Sequence, residues 1–187
     1  MKKIFFDTEF TGLTQNTSLI SIGLVADTGE KIYIENLDWD KSKSNDWINT
    51  NVIKNTFWLD EDSDKIQPKF TISYNLVSMA LRSYEIKEEL IEWFDKFGDE
   101  SIEIWSDCLA YDWVLFCNIF GGAFNIPSNI YYIPFDLCTL MKIKGIDPDI
   151  NREKFADCND ELVESKHNSL HDAEIIKKCY EKITIAY

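Results

Sequence analysis

Lys3-Ile4-Phe5-Phe6-Asp7-Thr8-Glu9-Phe10-Thr11-Gly12-Leu13 begins with an apolar run that stops at two acids. Lys3–Asp7 therefore reads as a short, buried strand ending in carboxylates. Working outward, Ser18–Ala26 (SLISIGLVA) and Lys31–Glu35 (KIYIE) are two further β-rich runs, and Asp27-Thr28-Gly29-Glu30 between them is a hairpin turn. Three successive strands with a tight second connection imply an antiparallel meander at the start of a mixed sheet.

Beyond the meander the texture changes. Residues 37–70 are rich in Asn, Asp, Ser and Lys, with Trp39, Trp47, Phe57 and Trp58 interspersed. They read as an irregular, partly helical insertion of the kind that is often functional. Ser73–Arg82 and Glu85–Phe97 carry apolar residues at helical spacing, and Gly98 ends the second of them. Ser101–Ser106 alternates as a strand does, and Leu109–Phe120 follows as a helix. Asn129–Phe135 is a further strand, Asp136–Lys144 a helix stopped by Gly145, and Ser169–Ile185 a last amphipathic helix. The expected architecture is an α/β sandwich: one domain over residues 1–187, with a mixed five-stranded sheet flanked by helices.

Composition narrows the function. No apolar run approaches the ~18 residues of a membrane span, and Asp7 and Glu9 interrupt what would otherwise begin like a signal peptide. The five cysteines form no CxxC pair and read as reduced, mostly buried thiols of a cytoplasmic protein. Acids outnumber bases 33 to 19, for a net charge of −14. Proteins that grip long duplexes carry basic surfaces. An acidic chain that processes nucleic acid needs divalent cations at the site and a short or single-stranded substrate.

Three acidic elements carry the chemistry. Side chains alternate along a strand, so Asp7 and Glu9 point to one face. Two ionised carboxylates that close repel unless a cation lies between them, and Mg²⁺ and Mn²⁺ favour such oxygen ligands. The alternative is a strand tip fraying into solvent. At the other end, His167-Asn168-Ser169-Leu170-His171-Asp172-Ala173 places an imidazole just before a capped helix and a carboxylate about one turn inside it. That suits a base acting on a metal-held water; the alternative is a surface helix with an incidental histidine. Between them, Asp112 sits among aromatics where an unpaired charge would be costly. Asp107 is its rival as ligand, or a helix cap.

Their order and placement resemble the DEDDh branch of the 3′→5′ exonucleases, which includes ribonuclease T and oligoribonuclease. The D-x-E followed by Gly-Leu is matched by Asp7, Glu9, Gly12 and Leu13; the aromatic-Asp step by Tyr111 and Asp112; and H-x-x-x-x-D by His167 and Asp172. The resemblance runs from Phe5 to Ala173. It departs at Asp107-Cys108, where the family often carries His-Asn, and His171 beside Asp172 is a second candidate for supporting contacts. It implies a ribonuclease H-like fold and two Mg²⁺ or Mn²⁺ ions held by Asp7, Glu9, Asp112 and Asp172, with His167 as general base. The substrate implied is the 3′ end of single-stranded RNA or DNA, RNA favoured, released as nucleoside 5′-monophosphates. Thr8, Phe10, Gly12 and Leu13 would lie where the terminal nucleotide stacks. Trp113 and the tryptophans of the insertion are further stacking candidates, with core packing the alternative for each. Members of that group are often homodimers.

Two other functions compete. A phosphodiesterase acting on dinucleotides or small signalling nucleotides keeps the metal site and changes the substrate. A non-catalytic binding module of the same fold would be expected to lack some of the acids, and this sequence has them all.

Overall fold

The computed structural model describes residues 1–59, 69–73, 75–158 and 166–186. Its centre is a mixed sheet of seven strands among the described residues, in the order β4-β5-β3-β2-β1-β6-β7. The strands are β1 (Lys2–Phe10), β2 (Leu19–Ala26), β3 (Lys31–Asn36), β4 (Lys69–Ile72), β5 (Leu76–Leu81), β6 (Ile102–Ser106) and β7 (Phe135–Asp136). The meander is as expected: β1 pairs antiparallel with β2, and β2 with β3. On the far side β6 runs parallel to β1, and β7 parallel to β6. Helices α1 (Asp46–Asn51), α2 (Ser83–Asp95), α3 (Ala110–Ile119), α4 (Leu137–Ile143), α5 (Arg152–Phe155) and α6 (Ser169–Ala186) surround the sheet.

Alternation along β1 assigns the layers. Ile4 and Phe6 enter a core with Ile86, Leu90 and Phe94 of α2 and Phe116 of α3. Phe5 enters the opposite core with Leu137 and Met141 of α4 and Ile175, Ile176, Cys179 and Ile183 of α6. Each fully buried side chain of this kind contributes about 1.5–3 kcal/mol, so β1 is clamped from both sides.

Two expectations need correcting. The stretch read as a helix over Ser73–Arg82 contains strand β5, which is parallel to β3 and pairs antiparallel with β4. Val77, Met79 and Leu81 turn to the α2 side, while Ala80 joins the core under the insertion. Short apolar runs fit both periods, and here the open edge of β3 selects the period of two. These two strands raise the sheet from five to seven. The strand expected over Asn129–Phe135 shrinks to an isolated bridge at Ile130 and the two-residue β7. Pro134 lacks the N–H that a ladder requires, and Tyr131, Tyr132 and Ile133 lie exposed.

The insertion is partly helical, with short turns at Lys41–Lys43 and Ile53–Asn55 around α1. Its stretch 60–68 lies outside the described residues. Trp39, Ile48, Val52, Ile53 and Leu59 form its own small core against Ile20 and Ala80. Glu35, fully buried on β3, accepts the backbone N–H groups of Phe57, Trp58 (2.9 Å) and Leu59 (2.7 Å). Three N–H donors offset the cost of burying that carboxylate and fix the insertion to the sheet.

Candidate active site

Asp7 and Glu9 leave β1 on the face that α6 covers. Opposite Asp7 in the β1–β2 register stands Gly23. A Cβ there would lie 2.3 Å from the Leu170 nitrogen and 2.5 Å from the Ser169 carbonyl carbon. The absent side chain thus lets the start of α6 descend onto the sheet beside Asp7. Ser21 Oγ and Ser169 Oγ, 2.9 Å apart, complete the contact. Asn168 accepts from the N–H groups of Leu170 (3.2 Å) and His171 (3.3 Å), capping the helix.

His167, just before that cap, adopts a left-handed backbone (φ 64°). This conformation is uncommon for a non-glycine residue and costs about 1–3 kcal/mol. Its N–H donates to Asp172 Oδ2 at 3.1 Å. Asn55 of the insertion braces the same turn, donating to the Lys166 carbonyl at 2.6 Å and accepting from Asn168 at 2.8 Å. The His167 ring meets Trp47 edge-on, with centroids 5.1 Å apart.

Asp112 approaches from the other layer, in the first turn of α3. Thr8, between the two acids of β1, faces that layer. Its N–H (3.0 Å) and its hydroxyl (2.6 Å) both donate to Asp112 Oδ1. Asp7, Glu9, Asp112, Asp172 and His167 thereby line one cleft of about 390 Å³. Ligand atoms of Glu9, His167 and Asp172 lie within 4.8 Å of one another.

The electrostatics are unfavourable without a cation. Burial first, then Asp112, Asp172 and Glu9, push Asp7 well above the usual carboxylate range. Burial, Asp172 and Asp112 push Glu9 up to about 8. Burial lifts Asp172 to about 7 against the pull of the His167 N–H, and lifts Asp112 against the Thr8 donors. His167 moves the other way, lowered by burial and Lys166, and so is held neutral near pH 7. Among the described residues no lysine or arginine pairs with these four acids: Arg152 is engaged by Asp107, and Lys166 lies 3.7 Å from Glu153. Clustered oxygens with no cationic side chain form a donor set suited to hard divalent ions.

The remaining candidates are distributed as follows. Asp107 forms a two-pronged ion pair with Arg152, at 2.7 and 3.0 Å, on the wall that the cleft shares with an adjoining hollow of about 350 Å³. Phe10, Gly12 and Leu13 border the cleft; Phe10 stacks on Tyr111 at 5.8 Å, and Tyr111 donates to the Leu13 carbonyl at 3.0 Å. Thr8 is buried, its hydroxyl taken up by Asp112. Trp113 stacks on Phe116 against the core and is not among the residues lining the cleft. His171 is buried and lines a separate hollow with Asn55, Phe57 and Glu174. Of the insertion's tryptophans, Trp39 and Trp58 pack in its core and Trp47 lines the cleft. Sequence reasoning had no local signal for Gly23, Asn55 or Arg152, whose roles arise only from chain segments brought together by the fold.

A family model for the 3′-5′ exoribonuclease Rv2179c-like domain matches residues 2–184. Two proteins of Mycobacterium tuberculosis, named 3′-5′ exoribonuclease Rv2179c (strain ATCC 25618 / H37Rv) and 3′-5′ exoribonuclease MT2234.1 (strain CDC 1551 / Oshkosh), are each 28% identical over 165 residues. Those matches cover 88% of this chain and 87% of each relative. The chain belongs to the Rv2179c-like 3′-5′ exoribonuclease family, and so to the hydrolases.

Proposed function

We propose that this member of the Rv2179c-like exoribonuclease family is a DEDDh-type enzyme. In this reading it removes nucleoside 5′-monophosphates from the 3′ end of short, single-stranded RNA, with two Mg²⁺ or Mn²⁺ ions and His167 as general base. The observation that carries it is the convergence of Asp7, Glu9, Asp112 and Asp172, without cationic partners among the described residues, beside a neutral imidazole.

Asp7 and Glu9 from β1, Asp112 from α3 and Asp172 from α6 are the ligands. Divalent ions bound there would supply an acidified water and neutralise charge on the phosphate. His167 accepts the proton of the attacking water, a task suited to an imidazole kept neutral. The Asp172 contact to its N–H and the Asn55 brace hold the backbone of that turn, and Trp47 meets the ring edge-on. Thr8 fixes the Asp112 carboxylate. Phe10, Leu13 and Tyr111 offer an aromatic and apolar rim for the terminal base, which needs no basic charge. The cleft's volume of about 390 Å³ suits a single nucleotide better than a duplex track. We place the enzyme in the cytoplasm, with its cysteines as free thiols in the resting state.

The test is a panel of 3′-end-labelled linear and circular oligonucleotides, RNA and DNA, with Mg²⁺ or with EDTA. Linear RNA should shorten from its 3′ end in Mg²⁺ alone, while circles persist. Equal cleavage of circles and linear strands would refute the exonuclease reading. A dinucleotide cut far faster than a longer strand would point instead to a small-nucleotide phosphodiesterase.

A further inference from the structure

Cys108 and Cys138 are 30 residues apart in sequence, yet their Sγ atoms lie 3.4 Å apart. Cys108 is exposed between β6 and α3, in a left-handed conformation (φ 53°), and lines both the cleft and the adjoining hollow. Cys138 is partly buried in the first turn of α4. A disulfide has its sulfurs about 2.05 Å apart, so the two need to close by only about 1.4 Å. Among the described residues, no other cysteine sulfur contacts a second one.

The surroundings choose between two fates for this pair. Ligand atoms of Asp107, Cys108 and Cys138 lie within 4.8 Å of one another, the spacing of a soft-metal site. The guanidinium of Arg152 already occupies it, however, with Nη2 3.0 Å from Asp107 Oδ1 and 3.2 Å from Cys138 Sγ. A fixed positive charge there opposes a second cation, while burial, then Asp107 and Cys108, push the Cys138 thiol up to about 12, so that it serves as the resolving thiol and not as the one that meets the oxidant. Asp107 Oδ1, 3.0 Å from Cys138 Sγ, is placed to accept that thiol's proton.

We infer that Cys108 and Cys138 form a reversible intramolecular disulfide when the protein meets hydrogen peroxide. The exposed Cys108 sulfur attacks the peroxide, the O–O bond breaks, and Cys108 becomes a sulfenic acid as one water leaves. Cys138 then attacks the Cys108 sulfur and the S–S bond forms. The S–O bond breaks, and its hydroxide takes up the proton that Asp107 removed from Cys138, leaving as a second water. Two thiols are oxidised by two electrons, and one peroxide is reduced to two waters. The bridge ties the segment that carries Tyr111 and Asp112 to α4.

The test treats the whole protein with hydrogen peroxide, alkylates the remaining thiols and maps peptides without reduction. The expected product is a monomeric chain with Cys108 and Cys138 cross-linked, a Tm several degrees above the reduced form, and full reversal by a phosphine reductant. In Cys138→Ser the cross-link should vanish and Cys108 should proceed to sulfinic acid. Wild-type protein that overoxidises Cys108 as readily as that variant would overturn the inference. So would a cross-link to another cysteine or to a second chain.

Discussion

Stripping divalent cations should make stability fall as pH rises, and restoring them should cancel the slope. Glu9 is held near 8 and Asp172 near 7, each first by burial. In the unfolded chain both return to the ordinary carboxylate range around 4. Between about pH 5 and 7 the folded, cation-free protein therefore keeps protons that the unfolded chain has released, and stability drops with rising pH. The contribution is complete below about pH 4 and gone above about pH 8. Each group contributes a slope of about 1.4 kcal/mol per pH unit, so the two together cost on the order of 3 kcal/mol from pH 6 to 7. For a chain of this length that is a fall in Tm of about 6–12 °C. Burial lowers His167 and His171, which act in the opposite sense, but only below about pH 6.5. Melting curves at matched pH in EDTA and in Mg²⁺ or Mn²⁺ isolate the carboxylates, because cations bind only their ionised forms. Asp7→Asn removes an acid that burial, then Asp112, Asp172 and Glu9, push up, so its Tm in EDTA at pH 7 should equal or exceed wild type, with no response to Mg²⁺. Parallel pH slopes with and without cation, or a full Mg²⁺ response in Asp7→Asn, would refute the reasoning.

The other substitutions separate chemistry from scaffolding. His167→Ala should lower kcat on the order of 10²–10⁴-fold while leaving the Mn²⁺-induced rise in Tm; a loss of only a few-fold in single-turnover assays would remove His167 as the base. Gly23→Ala drives a Cβ into the backbone of Ser169 and Leu170. It should cost about 1–3 kcal/mol or more and reduce kcat more than it raises KM, read from melts and initial rates. Asp107→Asn should leave the Mg²⁺ response in place, whereas Asp112→Asn should abolish it, so calorimetric titration of the two variants decides between the rival ligands.

The meander and the helices after Leu109 and Ser169 were legible because each has one dominant period and a clear stop. Leu76–Leu81 was not, because its spacing of Val77 and Leu81 also fits a helical turn and only the open edge of β3 decides it. The carboxylates were legible as chemistry: acids in apolar surroundings stand out in a sequence. What places them was not. Thr8 looks like a spacer until its hydroxyl is found on Asp112, and Gly23 looks like any strand glycine until α6 lies on it. On paper Asp107 stands second to Asp112 as a ligand; what engages it in the structure, the guanidinium of Arg152, comes from outside any expected element.

The site follows from the alternation of one strand. At the end of β1, successive residues face opposite layers, so Asp7 and Glu9 belong to the α6 side and Thr8 to the α3 side. Thr8 reaches the one helix, Gly23 admits the other, and four carboxylates meet at the strand's carboxyl end, where α/β sheets hold their ligands. The same convergence explains how a chain of net charge −14 can be adapted to RNA. Burial and their mutual repulsion push these acids up; in the proposed mechanism, divalent ions held among them would make the cleft a place for phosphate. Attraction for the substrate would then be tied to the cations and not spread over the surface, so RNA affinity and catalysis should be lost together when the cations are removed.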